Sequence, residues 1–236
     1  MSLAAFIDHT LLRPDATRAE IGTLCAEARA HGFATVCVPP YYVAEARRQL
    51  AGTAVGVCTV IGFPLGYAMP TVKAIEAERA LHDGATELDM VLNVAAFKSG
   101  EDAACAEEIG ALAAICHEAG AVLKVIIETA LLSEAEIIRA GQLAARAGAD
   151  FVKTSTGFAA RGASVADISL LRAHLPAATR IKAAGVIRTR AQAEARRAAG
   201  ADRLGCSASV AIVSSPQQPV SPSDPAADAP AAESAY

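Results

Sequence analysis

Apolar and polar positions alternate between two kinds of segment along this chain. Short runs rich in Val, Ile and other strand-favouring residues are separated by alanine-rich stretches in which apolar residues recur every three to four positions. The predicted strands cover residues 7–12, 35–38, 55–61, 87–93, 122–128, 151–156, 180–184 and 203–207. The predicted helices cover residues 18–31, 42–50, 72–83, 103–119, 134–147, 165–174 and 191–199. Strands and helices that alternate in this way are typical of a parallel sheet.

The predicted helices also carry start and stop signals. Thr17 with Glu20, and Ser133 with Glu136, have the spacing of a capping box. A glycine that can end a helix follows five of them, at Gly32, Gly84, Gly120, Gly148 and Gly200. Eight strand–helix units favour a closed (β/α)8 TIM barrel, and a doubly wound open sheet is the alternative. No GxGxxG motif follows a strand, which weighs against a dinucleotide-binding fold.

Composition narrows the function classes. Apolar residues make up 53% of 236 residues, which suits one large domain, and the net charge of −4 with mixed signs gives no sign of nucleic-acid binding. No apolar run approaches the ~20 residues that span a bilayer. The first nine residues lack the features of a signal peptide, so we expect no membrane association and a cytoplasmic location.

The composition changes sharply after Val213. Residues 214–235 are mostly Pro, Ala, Ser and Asp, a mixture that cannot bury enough apolar surface to fold. We therefore predict one domain over residues 1–213 and a flexible tail over residues 214–236 that ends in Tyr236.

The six cysteines are dispersed and show no metal-ligand spacing. We expect reduced core residues and no bound metal. The alternative for Cys37 is a reactive thiol, because this residue lies close to the carboxyl end of a predicted strand.

Three lysines recur at an interval of 29 residues, at Lys124, Lys153 and Lys182, each inside a predicted strand. Burial and neighbouring cations both disfavour the charged amine, so we expect at least one neutral amine near pH 7. A neutral lysine amine attacks carbonyl carbon and forms a Schiff base. Lys153, which precedes a Thr-Ser-Thr run, is the predicted nucleophile, and Lys182 is the predicted cation that tunes it.

Structural roles remain as alternatives for these residues. Lys153 could extend to solvent, Lys182 could pair with a phosphate or carboxylate, and Lys124 could form a salt bridge with Asp89 or Glu128. Asp89 lies in an apolar strand, where an unpaired carboxylate is costly. We predict that it moves protons through a bound water, and a structural ion pair is the alternative.

Substrate contacts are expected at the carboxyl ends of the strands, where (β/α)8 enzymes place their sites and where backbone N–H groups of the last strands often bind phosphate. The predicted substrate-binding residues are Asp8, Thr156, Gly157, Gly185, Gly205 and Ser207.

Six segments, in order along residues 7 to about 213, resemble a known family: IDHTLLRP, CTVIGFPLG, ELDMVLNVAAFKSG, KVIIET, AGADFVKTSTGF and IKAAGVIRT. The chain resembles the deoxyribose-phosphate aldolases, class I aldolases with a (β/α)8 barrel. The resemblance implies reversible cleavage of 2-deoxyribose 5-phosphate to acetaldehyde and glyceraldehyde 3-phosphate, with no metal or organic cofactor. It also implies that Lys153 forms the Schiff base, that Lys182 tunes it, that Asp89 handles protons and that Tyr236 enters the site.

The chain departs from the family pattern at four positions. Family members usually have a second glycine at Val186, serines at Ala184 and Ala208, and a glycine at Arg161. The first three changes adjoin the predicted phosphate pocket. Our hypothesis is that phosphate affinity is weaker than is typical and that non-phosphorylated aldehydes are better accepted.

Three alternative functions remain. They are an aldolase that prefers non-phosphorylated aldehydes, another phosphate-binding barrel enzyme such as an isomerase or a transaldolase-like lyase, and a non-catalytic sugar-phosphate-binding barrel. Apolar outer helices make a homodimer the expected assembly.

Overall fold

Eight parallel strands close into a barrel in which β8 pairs with β1. The computed structural model describes residues 2–216. The strands are β1 (Ile7–Thr10), β2 (Thr35–Val38), β3 (Gly56–Ile61), β4 (Glu87–Val91), β5 (Val122–Ile126), β6 (Phe151–Lys153), β7 (Arg180–Ala184) and β8 (Arg203–Cys206). Closure confirms the predicted (β/α)8 barrel and excludes the open sheet. Except for residues 214–216, the predicted tail lies outside the described residues.

All seven predicted helices are present, and two short helices accompany them. The helices are α1 (Arg18–His31), α2 (Val43–Gln49), α3 (Pro70–His82), α4 (Val94–Lys98), α5 (Asp102–Glu118), α6 (Glu134–Arg146), α7 (Val165–His174), α8 (Arg190–Ala198) and α9 (Ser209–Ser214). The capping boxes at Thr17 and Ser133 are confirmed. No helix within residues 2–216 has the length and apolar character needed to cross a bilayer.

Five predicted strands run one to three residues too far at their carboxyl ends. At these positions the chain leaves the ladder and turns over the mouth of the barrel. Glu128 adopts a φ of 55°, outside the extended region, and its carboxylate accepts hydrogen bonds from the backbone and hydroxyl of Thr156. The residues beyond the strand ends therefore form the loops of the site.

Side chains alternate between the two faces of the barrel wall. Leu88, Met90 and Val152 point outward and join the apolar core between sheet and helices. Asp89 and Lys153, at the alternate positions, point into the barrel. The interior thus carries ionisable groups in place of the branched aliphatic layers common in such barrels.

Candidate active site

One buried carboxylate holds the three evenly spaced lysines together. Asp89 on β4 accepts from Lys124 Nζ on β5 at 2.7 Å through Oδ1. Its Oδ2 accepts from Lys153 Nζ on β6 at 2.7 Å and from Lys182 Nζ on β7 at 2.6 Å. Asp89 and Lys124 are register partners on neighbouring strands, and so are Lys153 and Lys182. Successive lysines are one strand–helix unit apart in the sequence, so the barrel brings all three to the same carboxylate.

Three further charged residues surround this cluster. Asp8 lies 2.5 Å from Lys182 and 2.6 Å from Arg203. Glu87 lies 2.6 Å from Lys124 and 3.1 Å from Arg203. The connected network therefore contains four potential cations and three carboxylates. One amine can be neutral without leaving a carboxylate unbalanced.

The carboxylates decide which amines stay charged. Burial alone would lower the pKa of Lys182, but Asp8 and Asp89 outweigh it and raise that pKa above its usual value. Burial likewise opposes the charge of Lys124, yet Asp89 and its neighbours hold the pKa of that amine well above normal. Lys124 and Lys182 therefore remain ammonium ions at neutral pH.

Asp89 itself is ionised. Burial would raise its pKa, but the three lysines hold the pKa of this carboxyl well below its usual range. Among residues 2–216, Lys153 forms an ion pair with Asp89 alone. Lys153 thus has one carboxylate partner, whereas Lys124 and Lys182 each have two or more. The neutral amine expected from the sequence stays a prediction.

A cavity of about 310 Å³ lies at the carboxyl ends of β1, β6, β7 and β8. Lys153 lines it, whereas Lys124 and Lys182 do not. Five predicted substrate-binding residues line the same cavity, namely Thr156, Gly157, Gly185, Gly205 and Ser207. Its volume is at the lower end of the range for small-molecule sites, which suits a small substrate.

Asp8 and Tyr236 differ from these residues. Asp8 was expected to contact substrate, but its side chain is fully buried, is paired with Lys182 and Arg203, and is not part of the cavity lining. The structure thus places Asp8 beside the ammonium of Lys182 and away from the cavity lining. Tyr236 lies outside the described residues.

Sequence reasoning missed several residues of the site. Arg13 and Arg188 line the cavity, and each follows a strand end in one of the motifs noted above, which was the available signal. The salt bridge considered between Lys124 and Glu128 is replaced by the Lys124–Glu87 pair. Glu128 instead positions Thr156.

Two of the unusual residues have clear structural settings. Val186 lines the cavity with a φ of 59°, a left-handed conformation that is rare for a residue branched at Cβ. Arg161 binds the carbonyl of Thr129 at 2.9 Å and the carboxylate of Asp167. It thereby ties the loop after β6 to the turn after β5.

The loops after β6 and β7 meet backbone to backbone. The N–H of Ala163 donates to the carbonyl of Ala184 at 2.9 Å. A Cβ placed on Gly162 would lie 2.2 Å from the carbonyl oxygen of Gly185, so only glycine permits this approach.

Two groups of side chains within residues 2–216 bring potential metal ligands together. The ligand atoms of Cys37, Cys58 and Asp89 lie within 4.8 Å of one another, as do those of Asp8, Cys58 and Glu87. The carboxylates in both groups already carry ammonium or guanidinium partners. These cations would repel a metal ion, so the arrangement favours amine chemistry.

Comparison with known proteins identifies the family. The model of the DeoC/LacD family aldolases matches residues 2–210. The chain belongs to this family of aldolases. It is 50% identical over 212 residues to a deoxyribose-phosphate aldolase of Geobacillus sp. (strain WCH70), covering 90% of this chain and 95% of that one. A Listeria monocytogenes deoxyribose-phosphate aldolase is 48% identical, covering 94% of this chain and 99% of the relative.

Solved structures agree with this assignment. The tetrameric deoxyribose phosphate aldolase of Aeropyrum pernix superposes with a TM-score of 0.84 at 36% identity, over 89% of each chain. The fold, the family and the lysine cluster therefore point to the same class of enzyme.

Proposed function

We propose that this aldolase cleaves 2-deoxyribose 5-phosphate reversibly to acetaldehyde and glyceraldehyde 3-phosphate, with Lys153 as the Schiff-base residue. The relatives at about half identity carry that activity in their names. The observation that carries the role of Lys153 is its double position. It lines the cavity, and its amine shares one carboxylate oxygen with the ammonium of Lys182.

The proposed reaction uses the neutral amine of Lys153. Its lone pair attacks the carbonyl carbon of the open-chain sugar, and loss of water from the carbinolamine gives an iminium. The C3 hydroxyl loses its proton to a general base, the C2–C3 bond breaks, the iminium accepts its electron pair, and glyceraldehyde 3-phosphate leaves. Protonation of the resulting enamine and hydrolysis of the new iminium release acetaldehyde and restore the amine.

Proton transfer is proposed to run between the two lysines. Lys182 is an ammonium held by Asp8 and Asp89, so it can donate a proton to the departing hydroxyl of the carbinolamine. Asp89 Oδ2 accepts from both Nζ atoms, which gives a proton a short path between them. In this proposal Asp89 handles protons as an ionised acceptor that connects the two amines.

The phosphate is proposed to lie against the late strand ends. Gly157, Gly185, Gly205 and Ser207 line that part of the cavity and allow close approach of an anion to backbone. Arg13 and Arg188 add positive charge to the lining. Entry of Tyr236 into the site stays a prediction.

The test is trapping of the intermediate. With acetaldehyde and borohydride, the wild-type chain should gain a two-carbon adduct that peptide mass spectrometry maps to Lys153. Lys153→Leu should lose both the adduct and retro-aldol turnover. It should keep its circular dichroism and thermal transition, because three cations then face three carboxylates.

Lys98→Leu is the matched control. Lys98 is half-exposed and pairs with Glu136 away from the cavity, so this variant should trap and turn over as the wild type does. An adduct on another lysine, or substantial turnover in Lys153→Leu, would reject the assignment. An isomerase would release no acetaldehyde, and a non-catalytic barrel would show neither signal.

Self-association is proposed as well. Five of the eight exposed large apolar side chains within residues 2–216 cluster after β3 and on α3, at Leu65, Tyr67, Met69, Val72 and Ile75, and are between 46% and 68% exposed. A relative is described as tetrameric.

Sedimentation equilibrium should show at least a dimer, and Ile75→Glu should shift it toward monomer. Tyr41→Glu, at an exposed position outside this cluster, should leave the mass unchanged.

A further inference from the structure

Two cysteines face each other inside the barrel. Cys37 on β2 and Cys58 on β3 are register partners on neighbouring strands. Both are fully buried, and they pack with Leu12 and Val60 in a small cluster inside the barrel, separate from the core outside it. Neighbouring strands lie about 4.8 Å apart, which is within the Cα separation that a disulfide spans. The two Sγ atoms lie within 4.8 Å of one another, and both thiols are free.

Cys58 belongs to the environment of the charged network. Its thiol lies 3.2 Å from Asp89 Oδ1, to which it donates, and it accepts from Lys124 Nζ at 3.4 Å. The proposed reaction assigns no step to either cysteine. Any change at Cys58 sulfur nevertheless alters the hydrogen bonds of the carboxylate that connects the lysines.

The two thiols differ in acidity. The proximity of Cys58 and the positive charge of Lys182 lower the pKa of Cys37 although it is buried. Burial, in contrast, raises the pKa of Cys58 well above normal. One cysteine is thereby suited to attack an oxidant as the thiolate, and the other remains a thiol beside it. Leu12 packs with the pair and also lines the cavity, so a small neutral oxidant in the cavity is close to Cys37.

We propose that Cys37 and Cys58 form a modification site, which hydrogen peroxide converts to a disulfide that lowers turnover at Lys153. The Cys37 thiolate attacks one peroxide oxygen, the O–O bond breaks, and hydroxide leaves and becomes water. Cys58 sulfur then attacks the sulfenic sulfur of Cys37, the S–S bond forms, and the second oxygen leaves as water. The two thiols supply two electrons and two protons, and one peroxide yields two waters.

The disulfide should lower turnover because Asp89 loses the Cys58 thiol as a hydrogen-bond donor. The disulfide removes the Cys58 proton from Asp89 and moves an acceptor away from Lys124. Removing one hydrogen bond to a charged group corresponds to about a tenfold loss of turnover. A thiol reductant should restore it, because no oxidation beyond the disulfide has occurred.

The experiment treats the full chain with hydrogen peroxide, blocks remaining thiols and maps peptides without reduction. We expect a cross-linked peptide pair containing Cys37 and Cys58, turnover that falls about tenfold as the cross-link accumulates, and recovery in dithiothreitol. Cys37→Ala should keep its untreated turnover and lose the reversible inhibition. Cys116→Ala, which removes a buried thiol whose pKa is raised to about 12, should behave as wild type.

Three results would overturn the proposal. They are the absence of the cross-link, a cross-link that leaves turnover unchanged, and reversible inhibition that persists in Cys37→Ala. The turnover measurement rests on the proposed aldolase function, whereas the cross-link is detected by mass alone. Failure of the modification proposal is therefore distinguishable from failure of the proposed aldolase function.

Discussion

Val186 combines a side chain branched at Cβ with a left-handed backbone in the wall of the cavity. That conformation costs about 1–3 kcal/mol for a residue other than glycine. The preceding residue, Gly185, has a φ of 84° and is free of this penalty. The loop after β7 thus keeps a backbone suited to two glycines although only one is present.

Relief of this strain should be measurable. Val186→Gly should raise the free energy of unfolding by about 1 kcal/mol, after the larger unfolded-state entropy of glycine offsets part of the gain. Val186→Ala keeps a Cβ, and so most of the strain, and should change stability less. Urea unfolding compares the two, and a glycine variant less stable than the alanine variant would contradict the account.

The same pair of variants tests the hypothesis on substrate preference. If the valine side chain obstructs the approach of phosphate to backbone, Val186→Gly should raise the ratio of kcat/KM for deoxyribose 5-phosphate over deoxyribose. Val186→Ala should raise it by less. An unchanged ratio in the glycine variant would remove the hypothesis.

At the scale of elements, the loops decide the shape of the site. The loop after β6 carries Thr156 and Gly157 into the cavity lining and then runs to α7. Arg161 fastens its far end to Thr129 and to Asp167, whose own capping box starts α7. The resemblance described above implies a glycine at this position in family members, and glycine has no side chain to make these contacts.

Removing the fastening should loosen the loop. Arg161→Gln should lower the free energy of unfolding by about 1 kcal/mol, because the guanidinium is partly exposed and its ion pair is screened. Hydrogen exchange in residues 157–163 should accelerate. Arg79→Gln, which removes an exposed ion pair with Asp83 on α3, should change stability by less than about 0.5 kcal/mol and leave that exchange unaltered.

The order of elements was predictable from the sequence, and their limits at the site were not. Alternating apolar runs and caps such as Thr17 and Ser133 are local signals, so eight strands and seven helices followed from them. Residues 154–156 look like strand because Thr and Ser tolerate extended backbone. The N–H of Thr154 still donates to Lys182 on β7, but the N–H of Thr156 donates to Glu128, which only the folded chain brings near.

At the scale of the whole molecule, barrel closure creates contacts that no local pattern contains. The spacing of the lysines revealed Lys153, Lys182 and Asp89 as neighbours. The pairing of Asp8 with Arg203 joins residues 195 positions apart and depends on β8 meeting β1. Asp8 was predicted to bind substrate because it lies in the first predicted strand near its end, whereas the closed barrel pairs it with Lys182 and Arg203.

The buried network also sets the pH range of stability. The pKa values of Asp8 and Asp89 are lowered in the fold. Their contribution to the free energy of unfolding is therefore present above the pKa of an unfolded aspartate, about 3.9, and is lost as pH falls below it. The pKa values of Lys124 and Lys182 are raised, so their contribution is full below about pH 10.4 and is lost only as pH rises through the folded values.

We therefore expect the free energy of unfolding to fall below about pH 4, by up to about 1.4 kcal/mol per pH unit for each of the two carboxylates. Urea unfolding at several pH values measures the slope. Glu136→Gln removes an exposed carboxyl whose pKa is lowered to about 2 and should keep most of that slope. Equal stability at pH 3 and pH 6 would contradict the lowered pKa values of the two buried carboxyls.

The glycine contact between the loops after β6 and β7 has a consequence for how molecules reach Lys153. The two loops that touch at Gly162 and Gly185 cannot move apart without breaking both that contact and the hydrogen bond from Ala163 to Ala184. The opposite rim, from Thr10 to Arg13, carries no such tie to Gly185 within the described chain. The loops after β6 and β7 therefore form one fixed wall of the cavity that Lys153 lines.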